Sequence, residues 1–186
     1  MLIACLGWGS LISDPQKLPV RGKWFEDGPF LPIEFARKSS GGRITLVLMP
    51  HTSPLVRSLW VPMSVGNLRE ARKALGVREC PRSEKPESCV DYWPRGSRNR
   101  YVARRIGRWA KELQIDAVVW TNLRPEFNDE EKRIPTAEEV VTYLRGLQGE
   151  TRENAERYIR MTPRQIDTEY RRRIEAELGW SPLSPI

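Results

Sequence analysis

The sequence predicts an α+β fold in a single domain, residues 1–186, with a helical portion over residues 135–186. Three observations predict it. The chain is long enough for one hydrophobic core, and 39% of its residues are apolar. Apolar residues recur at helical spacing in the last fifty residues. Short β-branched, leucine-rich or aromatic runs bounded by Gly, Pro, Ser and Asn predict strands. These runs are Leu2 to Leu6, Ile44 to Met49, Leu59 to Met63 and Ile115 to Trp120.

The segments between these strands contain few regular elements. Asp14 to Pro32 is rich in Pro and Gly and is expected to be irregular. Asn67 and Glu70 have the spacing of a capping box and predict the start of a helix. The polar segment Pro81 to Ser88 follows this helix, and we expect it to be a flexible lid or loop.

A basic amphipathic helix is predicted from Arg98 to Lys111. Its basic residues form a cationic face that contributes much of the net charge of +7. Such a face is usually solvated, and no nucleic-acid-binding motif accompanies it, so we expect at most weak, non-specific binding of nucleic acid. Its buried stripe is predicted to contain Val102, Ile106, Trp109 and Leu113.

Three helices are expected at the C-terminal end. The first begins at a capping box formed by Thr136 and Glu139 and ends at Gly149. A second helix follows it. The third begins at Thr162, which precedes a proline, and ends at Gly179.

Composition excludes several kinds of site. With a single histidine, His51, we expect no Ser-His-Asp, Cys-His or multi-histidine metal site, and a carboxylate is the expected base of any enzyme. The cysteines have no C-x-x-C spacing, and we expect neither a disulfide framework nor a zinc site. No run is long enough for a membrane span, no secretory signal is recognised, and we expect a cytoplasmic protein without a membrane partner. The three cysteines are Cys5, Cys80 and Cys89.

The first predicted strand ends in a glycine-punctuated turn, Gly7-Trp8-Gly9-Ser10-Leu11. Glycine permits positive φ and close approach of a ligand to the backbone, so successive N–H groups can converge on a carboxylate. The alternative is a tight turn with no ligand. We expect Trp8 to line the wall of a binding pocket.

Four segments, taken in order, resemble the γ-glutamylcyclotransferase superfamily, most closely its glutathione-degrading branch. The turn resembles the family's Tyr-Gly-Ser-Leu turn, and a later strand and short helix resemble those that precede the catalytic glutamate. The segments are Leu6 to Ile12, Phe35 to Leu46, Ser58 to Glu79, and Asn154 to Tyr158.

The resemblance implies a small mixed β-barrel or curled sheet surrounded by helices. It implies cleavage of a γ-glutamyl amide to 5-oxoproline, a small anionic substrate, and no metal or organic cofactor. In this register Glu79 is the catalytic base, and the turn from Gly7 to Leu11 binds the glutamyl group. The alternative for Glu79 is a helix-end carboxylate, solvated or paired with Arg78 or Arg82, and Glu70 is the competing candidate base.

Two other functions remain open. The fold can serve as a non-catalytic binding module, in which the basic helix meets nucleic acid or an acidic protein partner. The other function is that of a related cyclotransferase that acts on a modified peptide or antibiotic intermediate.

Overall fold

A computed structural model of the chain describes residues 1–50, 53–97 and 99–183. His51 and the predicted helix start at Arg98 lie outside the described residues. The strands are β1 (Ile3–Gly7), β2 (Phe30–Leu31), β3 (Ile33–Lys38), β4 (Ile44–Leu48), β5 (Val56–Arg57), β6 (Leu59–Pro62), β7 (Val90–Trp93), β8 (Ala117–Thr121), β9 (Glu126–Phe127) and β10 (Glu130–Glu131). The α-helices are α1 (Ser10–Ser13), α2 (Leu68–Glu79), α3 (Arg100–Glu112), α4 (Ala137–Gly146), α5 (Gly149–Met161) and α6 (Glu169–Leu178), and Ser40–Gly42 and Pro86–Cys89 form 3₁₀ turns.

The predicted α+β class is confirmed. The chain combines several sheets with helices, and α4, α5 and α6 occupy its C-terminal portion. Of the two expected forms, a small mixed β-barrel or a curled sheet, the barrel is wrong for the residues that the structure describes. Each of the two larger sheets has four strands and ends on both sides in a strand with a single hydrogen-bonded neighbour, so neither sheet closes on itself.

The chain divides into two compact units. The first contains Met1–Gly7, Asp14–Leu31 and Arg57–Leu123, and the second contains Trp8–Ser13, Pro32–Val56 and Arg124–Ile186. Each unit has its own four-stranded sheet.

The sheet of the first unit has the strand order β6-β1-β8-β7. β1 is antiparallel to β6 and parallel to β8, and β8 is antiparallel to β7. All five residues of β1 are buried, as are the first four of β8, which is the pattern of strands covered on both faces. Helix α2 packs on β8, β7 and β1, and α3 packs on β7, β8 and β2.

The sheet of the second unit has the strand order β10-β9-β3-β4. β3 and β4 are antiparallel, and a bulge between Phe35 and Arg37 interrupts their register. Helix α6 packs on β3 and α4, while α5 packs on α1 and on the 3₁₀ turn at Ser40–Gly42. The fully buried side chains of this unit include Phe35, Ile44 and Leu144.

The structure confirms most of the basic helix. α3 begins after Asn99, whose side-chain oxygen accepts hydrogen bonds from the N–H groups of Tyr101 and Val102. The predicted apolar stripe is buried except at its end, where Leu113 follows the helix and is 39% exposed.

Two predicted helix boundaries are wrong. The capping box of Thr136 and Glu139 is present, but α4 ends at Gly146, and Gly149 begins α5 with a φ of 52°. The last helix begins at Glu169 rather than after Thr162, which is the C-cap of α5. Its predicted end at Gly179 is confirmed, since Gly179 has the left-handed conformation of a C-cap.

The expectation of no disulfide is wrong. Cys80 and Cys89 are bonded, because α2 ends beside the 3₁₀ turn that begins at Pro86. A nine-residue separation gave no sequence signal for this proximity. Disulfides are uncommon in proteins of the reducing cytosol, so the bond gives no support to a cytoplasmic location. No helix in the described part of the chain combines the length and the apolar character needed to cross a membrane.

Candidate functional site around Glu79

Glu79 is the last residue of α2, in the first unit. The helix begins at Asn67, whose side-chain oxygen accepts a hydrogen bond from the Glu70 N–H at 3.0 Å. Ala71, Leu75 and Gly76 form its buried face, and this face packs on the sheet. Packing and capping therefore fix the direction in which the end of α2 presents its carboxylate.

The Glu79 side chain is mostly buried and retains 17% of its accessible surface. Its ion-pair partner is Arg78, whose Nη1 lies 3.4 Å from Glu79 Oε1. The same guanidinium donates from Nε and Nη2 to the Asp14 carbonyl oxygen, at 3.2 and 2.7 Å. Arg78 is thus held mainly by Asp14, and its contact with Glu79 is long for a charge-assisted hydrogen bond.

Burial raises the pKa of Glu79 above its ordinary value, and the nearby Arg78 charge opposes that rise without cancelling it. The charge of the Glu79 carboxylate also acts on the Cys5 thiol of β1. Burial is the main cause that raises the pKa of the Cys5 thiol, and the negative charge of Glu79 raises it further. Glu79 is therefore a carboxylate with increased proton affinity beside an un-ionised thiol.

The segment Pro81 to Ser88, predicted as a flexible lid or loop, is closed at its ends by the Cys80–Cys89 disulfide. Its last part lies against α2. A Cβ added to Gly76 would stand 2.6 Å from the Pro86 backbone, so glycine is required for this close approach. The same stretch of helix therefore supports both Glu79 and the disulfide-closed loop.

Glu70, the competing candidate, has a structural role. Its carboxylate accepts hydrogen bonds from the Gly66 N–H at 2.9 Å and from Asn67 Nδ2 at 2.8 Å. Glu70 is exposed, whereas the Glu79 side chain is mostly buried. The geometry favours Glu79 over Glu70 as a proton acceptor.

The predicted turn is divided between the units. Gly7 ends β1 in the first unit, whereas Trp8, Gly9, Ser10 and Leu11 belong to the second. In the second unit Ser10 begins α1, and the Trp8 indole is buried and donates from Nε1 to the Leu46 carbonyl at 3.3 Å.

Positive φ, one of the two reasons expected for glycine in the turn, is wrong for Gly7 and Gly9. Positive φ occurs at other described glycines but at neither Gly7 nor Gly9. A Cβ at Gly9 would stand 2.5 Å from the phenol oxygen of Tyr158, so any other residue there would require the Tyr158 side chain to shift. The Gly9 carbonyl accepts a hydrogen bond from the Ile12 N–H at 3.0 Å.

Tyr158 is the neighbour of this turn that sequence reasoning left without a role. Its Oη accepts a hydrogen bond from the Leu46 N–H at 3.2 Å, and the Arg43 guanidinium lies 5.9 Å from its ring centroid. The sequence signal was the Asn154 to Tyr158 segment of the family resemblance, which ends on this residue.

Comparison with protein-family models, curated proteins and solved structures finds no match to this chain. The resemblance to the γ-glutamylcyclotransferase superfamily therefore rests on the four short segments alone. Within the described residues, no group of three or more His, Cys, Asp or Glu side chains is arranged to hold a metal ion.

Proposed function

We propose that this protein is a γ-glutamylcyclotransferase-like enzyme that cleaves a γ-glutamyl amide by intramolecular cyclisation to 5-oxoproline. The observation that supports it best is Glu79, a mostly buried carboxylate whose pKa is raised by burial. The resemblance assigns the base to this same position. The finer fold assignment, a γ-glutamylcyclotransferase-like fold, belongs to the same proposal.

The reaction needs a base and little else from the protein. Glu79 takes a proton from the substrate's α-ammonium group, and the freed lone pair attacks the γ-carbonyl carbon. The attacking nitrogen loses a second proton as the five-membered lactam forms, and the bond to the leaving amine breaks. That amine leaves as an ammonium group that carries both protons, the first of them returned by Glu79. Raised proton affinity suits this role because it brings the carboxylate closer to the amine that it deprotonates.

In the proposal, the substrate's glutamyl group binds at the turn Gly7 to Leu11. This part rests on the sequence resemblance. The N–H groups and the Ser10 hydroxyl are donors that suit a carboxylate, and a fixed α-carboxylate would hold the substrate in its folded, attacking geometry. Ser10 is not proposed as a nucleophile, because in the proposed cyclisation the substrate's own amine attacks the carbonyl and no nucleophile from the protein is needed.

A non-catalytic binding module is the second candidate. Arg104 and Arg108, on the exposed face of α3, favour it, since they form no ion pair with any residue that the structure describes. In that case an acidic protein or a nucleic acid would be the partner. Catalysis and its dependence on Glu79 distinguish the two candidates.

The decisive experiment measures 5-oxoproline release from glutathione, γ-glutamyl amino acids and γ-glutamyl amines. We expect turnover of at least one of them by the wild-type protein. Glu79→Gln should lower kcat about a hundredfold or more, because glutamine keeps the size of glutamate but accepts no proton at neutral pH.

Glu70→Gln is the matched control, since it makes the same change on the same helix at a residue engaged in capping. We expect its kcat to stay within about threefold of wild type, because the change removes no proton acceptor from the proposed reaction. Full activity of Glu79→Gln would remove Glu79 as the base. If the wild-type protein turns over none of these substrates, the proposed enzymatic activity is refuted and the binding module becomes the proposed function.

A further inference from the structure

A groove in the first unit has no part in the proposed reaction. It lies between α3 and the segment Gly28 to Phe30, it is partly open, and its volume is about 380 Å³. Pockets of this size accommodate small organic molecules. Glu79 is not among the residues that line it.

The groove is cationic. Arg104, Arg105 and Arg108 line it from α3, and Arg57 lines it from β5, while Glu112 is the acidic residue among those lining it. Four guanidinium groups and one carboxylate leave an excess of positive charge, which favours an anionic ligand.

Two of these arginines are available for a ligand. Arg104 and Arg108 are exposed, lie one helical turn apart, and form no ion pair within the described parts of the chain. Like charges at this spacing repel, and a bound anion of charge −2 or more relieves the repulsion. Arg105, in contrast, is held in place: its Nε donates to the Phe30 carbonyl at 2.7 Å, and its guanidinium lies 5.7 Å from the Tyr101 ring centroid.

The same groove presents flat aromatic surfaces. Phe30 is 45% exposed, and the Arg57 guanidinium lies 5.2 Å from its ring centroid. Trp109 forms a buried wall, because its Nε1 donates to the Asp27 carbonyl at 2.9 Å and its ring packs edge-on against Trp60 at 5.5 Å. Aromatic and guanidinium planes of this kind stack on a nucleobase.

We propose that this groove binds a nucleoside phosphate. Arg104 and Arg108 bind the phosphate oxygens, and the base lies against the exposed Phe30 ring and its stacked guanidinium. A bare phosphate leaves the aromatic surfaces unused. A groove of this volume also holds one nucleotide more readily than a long single strand.

The test is a calorimetric titration at physiological salt with ATP, tripolyphosphate and adenosine. ATP should bind more tightly than either of the others, since only ATP carries both the base and the phosphates. Arg104→Gln/Arg108→Gln should weaken ATP binding about a hundredfold, because each arginine supplies charge-assisted hydrogen bonds. Arg69→Gln/Lys73→Gln removes two exposed charges one turn apart on α2 and should leave ATP binding unchanged.

A second variant tests the part of the groove that is proposed to bind the nucleobase. Phe30→Leu should weaken ATP binding several-fold and leave tripolyphosphate binding unchanged, because stacking acts on the base alone. Equal affinity for ATP and tripolyphosphate would overturn the nucleoside part of the proposal. Tight binding of single-stranded oligothymidylate without binding of ATP would overturn it in favour of a nucleic-acid interface, and unchanged ATP binding by the double arginine variant would place the ligand elsewhere.

Discussion

Glu34 in the second unit and Glu79 in the first are both mostly buried carboxylates, and burial is the main cause that raises the pKa of each. Their polar partners differ. Glu34 accepts hydrogen bonds from the Phe35 N–H at 2.8 Å, from the Tyr170 N–H at 3.2 Å, and from the side chain of Thr168. Glu79 has Arg78 as its ion-pair partner, at 3.4 Å.

This difference distinguishes Glu34, a carboxylate that stabilises the fold, from Glu79, a carboxylate that is available to accept a proton. Both oxygens of Glu34 satisfy backbone N–H groups, so the side chain connects β3 to the start of α6. Glu79 joins no backbone group in this way among the residues that the structure describes, and its surroundings are fixed by the Cys80–Cys89 disulfide and by the contact of Arg78 with Asp14. A buried carboxylate with few hydrogen bonds retains its capacity to accept a proton.

The largest expected effect comes from Arg171, which holds the segment before α6. Arg171→Met should lower the free energy of unfolding by about 3–5 kcal/mol. The variant removes a buried guanidinium and leaves its hydrogen-bond acceptors without their donor. Denaturant unfolding measures this change. The acceptors are the carboxylate of Glu175 and the backbone carbonyls of Thr162, Pro163 and Ile166.

The control is the next residue. Arg172 is exposed and pairs with Asp167 at 3.0 Å, so Arg172→Met should cost at most about 1 kcal/mol. Similar losses for both variants would show that the buried hydrogen bonds of Arg171 add nothing beyond an exposed ion pair.

Glu34 gives the second effect, which depends on pH. Its pKa is raised from 4.5 to about 6, so the folded state binds the proton more tightly, and this stabilisation is lost as pH rises from about 4.5 through 6. In Glu34→Gln one backbone N–H loses its acceptor, a cost of about 1–3 kcal/mol at acidic pH. The stability gap between wild type and Glu34→Gln should therefore shrink by about 2 kcal/mol between pH 4.5 and 7.5.

Denaturant unfolding of both proteins across this pH range gives the gap directly. Glu131→Gln, at an exposed position of β10, is the control and should show a constant difference from wild type. A gap for Glu34→Gln that is also constant would mean that Glu34 titrates as an ordinary surface carboxylate.

The strands found from sequence were those with uninterrupted apolar runs, such as β1 and β8. β3 and β7 were missed because Glu34 and Asp91 interrupt their apolar patterns, and each of these carboxylates is buried through tertiary partners. Periodicity cannot show such partners, since they come from distant parts of the chain: Tyr170 for Glu34, and Asn122 for Asp91.

The same reason explains the wrong start of the last helix. Thr162 and Pro163 carry the local signal of a helix start, but their carbonyls and that of Ile166 accept hydrogen bonds from the Arg171 side chain. α6 therefore begins later, at Glu169. In the candidate site, the capping role of Glu70 was predictable because it is local, whereas the burial of Glu79 and the Cys80–Cys89 bond depend on how the elements pack.

The smallest change in stability is expected at Glu79, and this variant tests the comparison between Glu34 and Glu79 most directly. Glu79→Gln should leave the free energy of unfolding unchanged or raise it, because the variant removes a desolvated charge and Arg78 keeps its hydrogen bonds to Asp14. Since burial raises the pKa of Glu79, the ionised form costs stability above its ordinary pKa, so any advantage of the variant should grow as pH rises.

Denaturant unfolding at pH 5.5 and pH 8 measures this difference, with Glu34→Gln run beside it. If Glu79→Gln is destabilised as strongly as Glu34→Gln is at pH 5.5, Glu79 is a structural carboxylate and the proposed base loses its main support. If the Glu79→Gln variant instead keeps its stability and loses 5-oxoproline release, the Glu79 carboxylate contributes to activity and not to the free energy of unfolding. That is the pattern expected of a catalytic group.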